Sequence, residues 1–158
     1  MGISHPAFRN SDWPLHKALA VVRKALTMEQ LELDKYWSIF NIEVKETELL
    51  KQRQVALAYC ELVASLLDKE GLKALNVIRE LTQNKVTERR RSIWKKKMQK
   101  RILCHETSAY SVLSWSLESD NISYPPWYAA GIAGLNVVEL NIASLHDLGL
   151  LAKKVISN

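Results

Sequence analysis

The sequence predicts an all-α protein, a compact helical bundle of about six to eight helices, and three observations predict it. Neither glycine nor proline occurs between Pro14 and Gly71, or between Gly71 and Pro125. Hairpin turns with positive φ rely on such residues, so these stretches point to helices joined by short polar links. Cap signals recur ahead of apolar residues at helical spacing. The chain has 158 residues, 47% hydrophobic and 25% charged, a composition able to bury a core without staples. We read it as one domain over 1–158, with a candidate disordered tail at 1–10 and a loop at 119–127.

The elements follow in order. Ser11 and Asp12 stand ahead of Pro14 as a cap and a first-turn proline, opening a helix with the stripe Leu15, Leu19, Val22 and Leu26. Thr27 to Gln30 has the form of a capping box, predicting a second helix with Leu31, Leu33, Trp37 and Phe40 as its apolar set. A third helix is predicted from about Val44 to Lys69. Leu49, Ala56, Tyr59, Val63 and Leu66 share one side of it, and Gly71 ends it. Leu72, Leu75, Ile78 and Leu81 mark a fourth, and a basic helix spans about Val86 to Leu103. Thr107 or Ser108 caps a sixth, with Tyr110, Leu113 and Leu117 inward. Two glycines between Ala129 and Leu135 suggest close helix packing. Ser144 to Asp147 is a capping box for a last helix, to about Ile156.

Segments 17–27 and 73–82 resemble one another, as do 38–40 and 92–94, and 58–66 and 109–117. Such an echo fits a degenerate duplicated helical unit, and equally amphipathic helices of similar composition.

Charge is concentrated in one place. Lys85 to Arg101 holds nine of the 22 lysines and arginines and one acid, Glu88, so the block carries +8. The remaining 13 bases and 16 acids leave the rest of the chain at −3. An anionic partner is the physical expectation. Val86, Arg90, Trp94, Met98 and Ile102 fall four apart, with Ile93 widening the stripe, and because four of those five are apolar the segment can dock on the core. The candidate nucleic-acid-binding residues are Lys85, Arg89, Arg90, Arg91, Lys95, Lys96, Lys97, Lys100 and Arg101. Each phosphate neutralised would release counterions. No set of Asn, Gln and Arg at groove spacing accompanies them, so low sequence specificity is expected, with RNA favoured over DNA.

The reading is therefore a small basic nucleic-acid-binding regulatory or accessory protein. The alternative is a helical protein–protein interaction adaptor. In it, the Arg89–Arg91 and Lys95–Lys97 clusters serve as a nuclear import signal or dock an acidic protein surface. An anionic membrane surface is a weaker reading. Tyr124, Trp127 and Tyr128 form an aromatic, proline-rich stretch that is either a docking loop or a buried plug.

No catalytic residues, metal ligands or cofactors are expected. Phosphate-binding, dinucleotide-binding and nucleophile-elbow motifs are absent, and Cys104, His105 and Glu106 are adjacent, which spreads them over different faces of a helix. The two cysteines, Cys60 and Cys104, read as a reduced pair. No apolar run is long enough for a membrane span, and no secretory leader is visible, so the expected location is cytoplasmic, nuclear or both. No heptad run is long enough to argue an oligomer.

Overall fold

The computed structural model describes residues 6–104, 108–118 and 124–158, and these are all-α. The chain divides into two compact units, Met1–Asp34 and Lys35–Asn158.

Helix α1 (Pro6–Ser38) supplies the first unit and, from Lys35, the first residues of the second. It takes in residues 6–10 of the stretch read as a tail, and begins before the cap expected at Ser11. The predicted break at Thr27 does not occur. The Thr27 hydroxyl donates to the Arg23 carbonyl at 2.9 Å, the back-bond of a threonine inside a helix rather than the forward bond of a cap. Gln30 reaches Asp34 at 2.8 Å along the same helix. Leu19 and Leu31, expected inward, are exposed, and so are Val21 and Met28, which belong to neither expected stripe.

The second unit is a packed helical bundle. A π-turn (Ile39–Val44) closes with Lys45 N–H donating to the Phe40 carbonyl, and buries Phe40 and Val44. The predicted third helix is split. Helix α2 (Leu49–Leu62) ends before a 3-10 turn (Ala64–Leu66), and α3 (Lys69–Leu81) opens at the cap residue Asp68. Gly71 therefore stops nothing. It sits in the first turn of α3, its N–H donating to Asp68 Oδ1 at 2.9 Å, where an added Cβ would meet Leu67 and Tyr110. Leu49, Leu66 and Leu72, expected inward, are exposed because they lie at element ends or on the outer side.

Helices α4 (Glu88–Cys104), α5 (Ala109–Ser116), α6 (Pro126–Glu139) and α7 (Leu145–Ser157) complete the unit. Ser108 caps α5 and Ser144 caps α7, each hydroxyl accepting a first-turn N–H. Thr107 and most of the expected loop, 119–123, lie outside the described residues. Helix α2 is central, packed against α5, α6 and α7, with Val55, Ala56, Tyr59 and Cys60 buried. Gly131 and Gly134 let α6 approach. Tyr36 donates to the Gly131 carbonyl at 2.6 Å, and Tyr59 to the Leu148 carbonyl at 2.7 Å.

Two turns that glycine and proline did not announce are made by asparagines. Asn84 (φ 56°) and Asn141 (φ 58°) adopt the left-handed conformation that ends α3 and α6. After Asn84, Lys85 N–H returns to the Glu80 carbonyl at 3.1 Å, the outer bond of a Schellman motif. The similar segments differ in build: 38–40 enters the π-turn, whereas 92–94 lies within α4. Among the described residues no helix is long and apolar enough to cross a membrane.

Candidate nucleic-acid interface

Helix α4 carries the basic block. Thr87 opens it, its hydroxyl accepting the Arg90 N–H at 3.2 Å, and Glu88 places an acid in the first turn, where the helix dipole favours it. Met98 is fully buried and Trp94 and Ile102 are half-buried, which anchors one side on the core.

The apolar members of the predicted stripe, Val86, Trp94, Met98 and Ile102, face the core, and only its arginine does not. Arg91, not Arg90, is buried, with 6% exposure. Its Nε and Nη2 pair with the Glu88 carboxylate, and its Nη1 donates to the carbonyl of Leu117, which caps the C-terminus of α5. A cation there satisfies an orphan carbonyl and the negative end of the helix dipole. The same guanidinium holds Glu88 below the usual carboxylate range. Ile93, expected inward, is exposed among the lysines.

Three further cations meet acids from other segments. Lys95 bonds Glu118 at 2.5 Å, and Arg90 bonds Glu80 at 2.5 Å. Arg101 reaches Asp68 at 2.6 Å and Glu70 at 3.4 Å, and stacks on Tyr110 with 4.3 Å to the ring centre. These acids are invisible to a local charge count, because they lie 10 to 33 residues away in the chain.

The remaining five cations, Lys85, Arg89, Lys96, Lys97 and Lys100, are exposed and have no carboxylate partner among the described residues. Four of them lie on α4. Arg89, Lys96 and Lys100 follow one line at seven- and four-residue steps, and Lys97 flanks it. From Arg89 to Lys100 the helix rises about 16 Å. Lys97 Nζ stands 4.4 Å over the Trp94 ring, so one face of that indole is already covered by a cation.

The aromatic stretch is mixed in character. Tyr124 is exposed, while Trp127 and Tyr128 are half-buried at the start of α6. Rings run in contact from Trp115 through Tyr124 and Tyr128 to Trp37, with centroids 5.5, 6.2 and 5.6 Å apart. Sequence reading missed Trp115 and Glu118, which no local motif marks.

Among the described residues no group of three or more His, Cys, Asp or Glu is placed to hold a metal. His105 and Glu106 lie outside the described residues. Cys60 is a buried free thiol that donates to Ser116 Oγ at 3.0 Å, and burial pushes it up to about 12. No family model matches the chain, and neither curated proteins nor solved structures give a match, so its own geometry carries the functional argument.

Proposed function

We propose that the protein is a small nucleic-acid-binding regulatory or accessory protein that grips the phosphate backbone with the outer face of α4, RNA ahead of DNA. The supporting observation is the division of the basic block: Arg90, Arg91, Lys95 and Arg101 are neutralised, whereas Arg89, Lys96, Lys97 and Lys100 line up without acids. Like charges at helical spacing repel by a few tenths of a kcal/mol per pair, and a polyanion relieves that cost.

Five phosphate contacts to a single strand give a slope of log K against log salt of about −3.5. The test is binding of labelled RNA and DNA across a salt series, with Lys85, Arg89, Lys96, Lys97 and Lys100 changed together to Gln in the comparison protein. Lost affinity and a flattened slope in a folded variant support the reading. Binding that ignores salt, or no binding, defeats it.

A second reading, an adaptor whose basic block is an import signal, is favoured by one observation. Leu19, Val21, Met28 and Leu31 are exposed along the first unit. Its test is nuclear accumulation of a fluorescent fusion, which the same five substitutions abolish if the block is read by an import receptor.

A further inference from the structure

Beside the outer face of α4 lies a groove of about 560 Å³, lined by Lys95, Gln99 and Ile102 on one side and by Trp115, Glu118 and Tyr124 on the other. We propose that this groove takes one unstacked base of a single-stranded nucleic acid whose phosphates run along the lysine line. The inference rests on the phosphate reading above and adds to it the form of the strand.

The volume falls within the range of ligand-binding clefts, about 300–1,000 Å³, and so has room for a base. Trp115 and Tyr124 meet edge to face with centroids 5.5 Å apart, so two aromatic side chains bound one end. Every base has a π-face, and stacking on such rings tolerates any sequence. Lys95 and Glu118 neutralise each other at 2.5 Å. The groove is thereby not a carboxylate site that repels a nucleotide, and the pair supplies a donor and an acceptor for a base edge. The Gln99 amide, exposed on α4, offers both as well.

Position joins the two features. Lys95, Gln99 and Ile102 occupy one stripe of α4, and Arg89, Lys96 and Lys100 the neighbouring one. A strand whose phosphates follow the second stripe brings its bases to the first. A duplex keeps its bases stacked and paired and cannot enter.

The experiment compares a short labelled strand with an abasic strand of the same length and charge, in RNA and DNA forms, on the native protein and on Tyr124→Ala and Gln99→Ala. The native protein should bind the base-bearing strand about tenfold more tightly than the abasic one. Tyr124→Ala should erase that difference and leave the salt slope unchanged. Equal binding of both strands, still lost on substitution of the five cations, overturns the groove and leaves the phosphate reading intact. A base effect that survives both groove variants also overturns it. Absence of salt-sensitive binding to any strand removes the phosphate reading, and the groove with it.

Discussion

The Arg101 guanidinium, in the last turn of α4, donates to one oxygen of Asp68 at 2.6 Å, while the other oxygen of Asp68 accepts the Gly71 N–H at 2.9 Å. One carboxylate thus caps α3 and ties down the end of the basic helix. The same cation lies over the Tyr110 ring and accounts for one of the block's positive charges without any external partner.

This contact predicts an acid-sensitive term in stability. Arg101 first, and the Gly71 N–H second, hold the Asp68 carboxyl at about 2 against an ordinary 3.8. The unfolded chain therefore takes up the proton first as pH falls. The stabilisation is complete above the unfolded value and is lost as pH drops from about 3.8 through 2. Asp68→Asn keeps a capping oxygen and removes the charge. Thermal melts should show the native protein more stable at neutral pH, with its advantage over the variant shrinking through that window. A difference independent of pH would discard the ion pair as its cause.

How much of this was legible follows from where each signal resides. Ser108 and Ser144 announce their helices because a cap is a local event. Thr27 spells the same motif but spends its hydroxyl on Arg23, and sequence alone does not separate the two uses. Asn84 and Asn141 end α3 and α6 without glycine, at boundaries that apolar spacing and the Ser144 cap already mark, whereas the single helix expected over 44–69 is divided at 45–48 and 63–68, where no breaker stands. The basic block was visible as composition. Its division was not, because Asp68, Glu70, Glu80 and Glu118 arrive through folding, and nothing local shows that Arg91, expected among the phosphate contacts, turns inward to Glu88 and the Leu117 carbonyl.

That division predicts unequal effects within one arginine triplet. Arg91→Met leaves the Leu117 carbonyl and the Glu88 carboxylate without their donor and should cost about 1.5–3 kcal/mol in urea unfolding. Arg89→Gln, on the outer face, should stay within about 0.5 kcal/mol. In nucleic-acid binding the order should reverse, with Arg89→Gln lowering affinity and Arg91→Met leaving the affinity of the folded fraction intact. Equal stability losses would remove the distinction between the two faces.

Cys60 should be chemically silent in the native state. Burial raises its thiol to about 12, and the thiolate is the reactive form. In a Cys104→Ser background, labelling by a thiol reagent at mildly alkaline pH should proceed only as fast as the protein opens, and should accelerate in step with urea unfolding. Rapid labelling of the folded protein would place this thiol at the surface instead.

The closest test of the packing of α6 is Gly134→Ala. An added Cβ would overlap the Tyr36 hydroxyl and stand 2.8 Å from Tyr59 Cε2. Alanine improves helix propensity by at most about 1 kcal/mol. Against that gain, both tyrosines are fully buried, and each hydroxyl is committed to a backbone carbonyl, so neither ring can withdraw without breaking a hydrogen bond. Overpacking of this kind costs about 1–3 kcal/mol, and the lost Tyr36 bond adds about 1 kcal/mol more. The variant should therefore melt lower than the native protein. Combining it with Tyr36→Phe, which removes the clashing oxygen, should cost less than the sum of the two single changes. Strict additivity would show that the two side chains do not meet.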